Sequence, residues 1–195
     1  DINQDGYKDI YISNDFISND ILYINNGNGT FTNQLAESIK HTAFSSMGVD
    51  IADINNDGLM DIVALDMMPE SNYRKKTMLA PNNYNNYLNN LAFGYTHQYV
   101  RNVLQLNRGP LKPRGNPVFS EIAMMAGIEA TDWSWTPLVA DFDNDGLRDI
   151  IITNGFPKDI TDRDFMEYKA NYGVYAEKSV MLKSIPEVKL TNYAF

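Results

Sequence analysis

The chain has 195 residues, 16 Lys+Arg against 25 Asp+Glu for a formal net charge of −9, and no cysteine. An acidic balance leaves no basic surplus to release counterions from a phosphate backbone, which excludes nucleic acid as a partner. The lack of thiols excludes a disulfide framework, a thiolate zinc site and a cysteine nucleophile. With 44% apolar and 12% aromatic residues the chain can bury a core, yet no run of about 18 apolar residues is present to cross a membrane.

In chain order, the first recognisable unit is an Asp-rich loop. Asp1, Asn3, Asp5 and Asp9 place oxygen side chains at positions 1, 3, 5 and 9, with Gly6 at position 6. Alternating oxygens let a tight loop wrap one hard cation, and glycine permits the positive-φ turn. The main-chain carbonyl of Tyr7 is the natural fifth ligand. A short β-branched strand, Ile10-Tyr11-Ile12, should follow. Residues 22–31 read as a hairpin, because Asn26-Gly27 and Asn28-Gly29 supply left-handed turn residues. Asn28-Gly29-Thr30 also fits a glycosylation sequon, which the turn already explains.

The loop recurs twice. Asp53, Asn55, Asp57, Leu59 and Asp61 repeat the pattern around Gly58, and Asp141, Asp143, Asp145, Leu147 and Asp149 repeat it around Gly146. The second and third loops are preceded by strand-like segments (47–52, 136–140), and all three are followed by a buried-strand pattern. An EF-hand would need a Glu at position 12 and flanking helices, whereas Ile12, Ala64 and Ile152 stand there and strands flank the loops. Hard oxygen ligands with no sulfur or imidazole select Ca²⁺, up to three ions, one per loop.

The loops start at 1, 53 and 141, spacings of 52 and 88 residues. The surplus in the second repeat falls in an insertion at about 67–99 and a smaller extension within 109–117. Each repeat reads strand, loop, strand, connection, strand, hairpin, strand, the signature of a propeller blade. The insertion predicts one helix at 70–79 and another at 84–93, separated by Pro81. Tyr73, Tyr84, Tyr87, Tyr95 and Tyr99 gather there, either as a cap packing its aromatics onto the blade or as a surface for a glycan or protein. A further helical stretch at about 161–183 is capped by Thr161 or Asp162, with Phe165, Tyr168, Tyr172 and Tyr175 expected in the core. Of Trp133 and Trp135, one is expected to pack between blades. Leu190-Thr191-Asn192-Tyr193-Ala194-Phe195 reads as the opening of another hairpin.

These loops, with Asn25-Asn26-Gly27-Asn28-Gly29-Thr30-Phe31, Ser46-Met47-Gly48-Val49-Asp50 and Trp133-Ser134-Trp135, resemble the FG-GAP/VCBS repeats, the calcium-loop blades also found in integrin α-subunit propellers. The finer likeness is to bacterial surface proteins of the ASPIC/UnbV-associated VCBS group. The resemblance implies an all-β fold: a partial β-propeller of four-stranded antiparallel blades with calcium loops and short helical insertions, residues 1–195 being a segment of one larger propeller. It implies a noncatalytic role in a secreted or cell-surface protein, bacterial outer membrane included, that mediates protein–protein adhesion or assembly. An outer-membrane uptake or secretion complex is one candidate partner, and this segment is not expected to insert into the membrane.

Two other function classes stay open at this stage. The aromatic, Asn-rich insertion allows a lectin-like module linked to nutrient uptake. A polysaccharide-degrading enzyme would need a base and a charge-neutralising group converging in a cleft. His41 and His97, the two histidines, stand in no recognisable catalytic constellation, and no phosphate loop or nucleophile elbow is visible. No catalytic residue and no organic cofactor are expected.

Overall fold

The computed structural model describes residues 1–78, 83–113 and 115–195. Leu79 and Pro81, expected at the end of the first insertion helix and between the two helices, lie outside the described residues, as does Arg114 of the smaller extension.

The protein is mostly β, built as antiparallel sheets joined by short helices. β1 (Ile10–Ile12), β2 (Ile21–Asn25) and β3 (Phe31–Asn33) form the first sheet, with Tyr11 opposite Leu22 and Ile24 opposite Thr32. The hairpin between β2 and β3 turns on Gly27 and Gly29, at φ 71° and 85°. Helix α1 (Leu35–Ser38) leads to β4 (His41–Ala43).

The central sheet contains four strands in the order β5-β6-β8-β9. β5 (Gly48–Ala52) and β6 (Asp61–Leu65) flank the second Asp loop. The insertion then carries α2 (Asn72–Thr77), α3 (Tyr84–Ala92) and β7 (His97–Tyr99), before β8 (Val103–Pro110) and β9 (Pro117–Glu121) complete the sheet. β7 does not join that sheet. It pairs in parallel with β4, His41 opposite His97, a contact that sequence pattern gave no reason to expect.

After α4 (Ala123–Ala126), β10 (Ser134–Ala140) and β11 (Asp149–Asn154) flank the third loop. Helices α5 (Arg163–Tyr172) and α6 (Lys178–Ser184) follow, and β12 (Tyr193–Ala194) adds a third strand beside β11. The first and third sheets have three strands each and the central one has four.

The core explains this arrangement. Every residue of β6 is buried, as the apolar run Ile62–Leu65 should be when both faces of a sheet are covered, and Asp61 is buried with it at the loop end. Ile62 packs toward the first sheet with Leu22, Ile24, Leu35 and Phe119, while Val63 and Leu65 pack toward the third with Leu104, Ile150 and Ile152. The three sheets are therefore stacked in a row. The outer sheets each keep one open face, so Ile10 and Ile12 of β1 are exposed, contrary to the buried strand that their β-branched pattern predicts.

Three further expectations are corrected. No residue of α3 is buried, and Tyr84 and Phe93 are 72% and 79% exposed, so the insertion does not pack its aromatics onto the sheet as a cap. In α5 the apolar stripe reaches the core only at Phe165, next to the Asp162 N-cap; Tyr172 and Tyr175 face solvent, because only the first turn of the helix docks. Neither tryptophan ring belongs to the apolar clusters between the sheets. The close approach is made by the Trp135 main chain, whose carbonyl oxygen would lie 2.0 Å from a Cβ placed on Gly48. At Gly48 the backbones of the central and third sheets are thus too close to admit a side chain.

Candidate metal centres

The three loops fold alike because they make the same short-range hydrogen bonds. In the first, Asp5 N–H and Gly6 N–H donate to Asp1 (2.9 and 2.9 Å) and Tyr7 N–H donates to Asp5 (2.9 Å). In the second, Asp57 and Gly58 donate to Asp53 (3.0 and 2.8 Å) and Leu59 to Asp57 (2.8 Å). In the third, Asp145 and Gly146 donate to Asp141 (3.1 and 3.0 Å) and Leu147 to Asp145 (2.8 Å). Gly6, Gly58 and Gly146 lie at φ 86–90°, and a Cβ on any of them would meet nothing within 4 Å. Glycine is required there by backbone conformation rather than by space.

Position 9 ties each loop to its sheet. Asp9, Asp61 and Asp149 each accept the N–H of loop position 2, from Ile2, Ile54 and Phe142 (2.6, 2.9 and 2.8 Å). The other oxygen of Asp9 accepts Asn25 N–H (2.9 Å), and that of Asp61 accepts Asn107 N–H (2.8 Å), each from the strand that follows along the sheet, β2 beside β1 and β8 beside β6. A second tie closes the far end of the same strands. Asn14, Asp66 and Asn154 N–H donate to Asp20, Asn102 and Asn192 at 2.8–2.9 Å.

The loops differ at position 3. Asn3 and Asn55 donate their amides to Asp5 and Asp57 (2.8 and 3.0 Å), bridging two expected ligands. Asp143 has no amide to donate, and Asp141, Asp143 and Asp149 bring one carboxylate oxygen each to within 4.8 Å of one another. Among the described residues, no Lys, Arg or His side chain forms an ion pair with the carboxylates of any of the three loops. An all-oxygen donor set, rich in negative charge and unpaired with side-chain cations, has the chemistry of a hard divalent-cation site. The local fields differ as well. Hydrogen bonds from Tyr7 N–H and the Asn3 amide hold the Asp5 carboxyl below the usual range. Burial pushes that of Asp61 up, with Asp57 and Asp53 adding to the effect, against the bonds from Asn107 and Ile54.

Position 4 carries a feature that the sequence did not disclose. Gln4, Asn56 and Asn144 all occupy the left-handed region, at φ 59–61°. From there Gln4 reaches across to the next loop and donates to the Gly58 carbonyl (2.8 Å), and Asn56 does the same to the Gly146 carbonyl (2.8 Å).

Sequence reasoning also left the histidines without partners. The β4–β7 pairing sets them side by side; His41 Nε2 lies 3.2 Å from Glu121 Oε2 and 3.1 Å from Arg101 Nη2, and His97 Nδ1 lies 2.6 Å from the Tyr87 hydroxyl. Burial alone would raise the Glu121 carboxyl, but His41, the N–H groups of Ala123 and Leu104, and the Arg101 charge outweigh it and hold it low. Tyr87 stacks on both His97 and Tyr99. The only sequence signal for this cluster is the concentration of tyrosines in the insertion.

Stacked antiparallel sheets, each entered through an Asp-rich loop, define a repeat protein whose unit is strand, loop, strand and hairpin. Residues 1–64 match the family model for the FG-GAP-like repeat, a span that takes in the first two loops and ends within β6. The match supports the FG-GAP resemblance over those residues. Comparison with curated proteins finds no match. Among the described residues, no helix is long and apolar enough to cross a membrane.

Proposed function

We propose that the chain is a noncatalytic calcium-binding segment of a larger β-propeller, in a secreted or cell-surface bacterial protein of the VCBS type, that mediates protein–protein adhesion or assembly. The observation that carries the calcium reading is the threefold recurrence of one hydrogen-bonded loop whose carboxylates lack cationic side-chain partners. Asp1, Asn3, Asp5 and Asp9, with the Tyr7 carbonyl, would hold the first ion. Asp53, Asn55, Asp57, Asp61 and the Leu59 carbonyl would hold the second, and Asp141, Asp143, Asp145, Asp149 and the Leu147 carbonyl the third. Bound calcium neutralises clustered charge where each loop enters its sheet and so stabilises the folded state; a site at a hundred times its Kd adds about 2.7 kcal/mol. Thermal melts in millimolar Ca²⁺ and in EDTA test this. The expected result is a higher Tm in calcium, and identical curves overturn it.

One observation favours a second reading, a carbohydrate-binding module. A cavity of about 450 Å³ beside α3 is walled by Phe16, Phe44, Phe93 and Tyr95 and by the amides of Asn89 and Asn90, with no charged residue in its lining among the described residues. Aromatic faces with amide hydrogen bonds suit a neutral sugar. Glycan-array binding that is lost in Phe93→Ala supports this reading; an array with no binding removes it.

A further inference from the structure

The bonds from position 4 connect more than two loops; each ends on one particular peptide group. The Gly58 carbonyl accepts from Gln4 of the first loop, while the N–H of the same peptide unit, that of Leu59, donates to Asp57 of the second (2.8 Å). The arrangement repeats one sheet further on. Asn56 of the second loop donates to the Gly146 carbonyl, and the N–H of that peptide unit, Leu147, donates to Asp145 of the third (2.8 Å). One peptide plane is thus held from both sides, by a side chain of the preceding loop and by a carboxylate of its own.

The donor side is anchored with equal care. Gln4 stands between Asn3 and Asp5, and Asn56 between Asn55 and Asp57, so each reaching amide is flanked by two residues of the oxygen set. Its left-handed backbone, close to φ 60°, is one that asparagine enters more readily than most residues and that is uncommon for glutamine, and in both it aims the side chain away from its own loop and at the next. Any shift of positions 3 and 5 in one loop must therefore rotate the amide that grips the next. Hydrogen bonds sharing a peptide group also polarise one another.

Resting on the calcium reading above, we propose that the three loops bind calcium as a coupled series, with Gln4 and Asn56 as positioning residues that transmit the order of one loop to its neighbour. Filling the third loop raises the affinity of the second, and by reciprocity filling the second raises that of the third. The strength expected of one neutral amide-to-carbonyl hydrogen bond is about three- to tenfold in affinity.

Asn144 provides the internal control. It has the same backbone conformation as Asn56, yet its side chain makes no hydrogen bond to another loop among the described residues. Calcium is titrated into the full 195-residue chain, and each loop is followed through its own glycine amide signal, Gly6, Gly58 or Gly146, in two-dimensional NMR. Asp145→Asn, which weakens the third loop, is expected to move the Gly58 midpoint to about three- to tenfold higher calcium. In an Asn56→Gly background, which keeps the backbone conformation and removes the amide, the same substitution is expected to leave the Gly58 midpoint unchanged. Asn144→Gly is expected to leave it unchanged as well. A Gly58 midpoint that ignores Asp145→Asn, or that shifts equally in both backgrounds, overturns the coupling while the calcium reading stands. Glycine signals that ignore calcium altogether remove both.

Discussion

Replacing Gly48 with alanine tests the stacking of the sheets directly. The new Cβ would sit 2.0 Å from the Trp135 carbonyl oxygen, 3.0 Å from its carbon and 3.1 Å from Pro137 Cδ, where ordinary contact begins near 3.4 Å. Backbone on both sides leaves no flexible side chain to swing away, so β5 and β10 must part by about 1.4 Å. That opening stretches the bond from Val139 N–H to Asp50, now 2.8 Å, well beyond hydrogen-bond range. Overpacking costs about 1–3 kcal/mol and the lost bond about 1 kcal/mol. The reduced freedom of the unfolded chain offsets about 0.5–1 kcal/mol. The net loss is about 1–3.5 kcal/mol, which in a protein of this size lowers Tm by about 2–14 °C. Circular-dichroism melts at fixed calcium read it out. A Tm within about 1 °C of the parent would refute the argument that these two sheets meet backbone to backbone at Gly48.

The remaining predictions concern buried charge. Burial pushes the Asp66 carboxyl from an ordinary 3.8 up to about 7, against the bonds from Ser45, Met67 and Phe44 N–H. A carboxyl raised on folding favours the folded state only while protonated, so its contribution declines as pH rises from about 4 to 7. Urea midpoints across that range should fall less steeply in Asp66→Asn than in the parent; parallel slopes would show that Asp66 does not titrate there. Arg74 of α2 donates to Asp132 (3.0 and 2.8 Å) and pairs with Asp159, and all three side chains are largely buried. Arg74→Met strands two carboxylates and should cost about 3–5 kcal/mol. Adding Asp132→Asn and Asp159→Asn should restore much of that; a single variant as stable as the parent contradicts the pairing.

What could be read in the sequence was what is local. The Asp loops are legible because each loop's internal bonds close within seven residues, the longest being the bond from position 2 to position 9 in all three. The hairpin after β2 is legible for the same reason, its turn being closed by bonds two residues long, from Gly27 N–H to Asn25 and from Thr30 N–H to Asn28. Residues 10–12 and 61–65 have similar β-branched patterns, yet the first strand is half open to solvent and the second wholly buried. The difference lies in what stacks on each sheet, and no window of sequence contains it. The same holds for Arg74 with Asp132 and Asp159, for His41 with Glu121, and for Asn56 with Gly146. Position 4 was visible as a polar residue in all three loops, but its direction is set by the neighbouring sheet.

The insertion between β6 and β8 has a mechanical consequence. Its last strand lies against β4, and Thr96 and Gln98 donate to Asn19 and to the Ser18 carbonyl of the first repeat. Its first helix grips the third repeat through Arg74. One excursion from the central sheet therefore fastens to both neighbours, running along the rim of the stack opposite in role to the loops. Where calcium would pin the strands at their loop ends, the insertion is a clasp made of chain, independent of any ion. Chelation would then loosen one edge of the stack and leave the other buttoned, so the sheets would be expected to fan apart rather than separate.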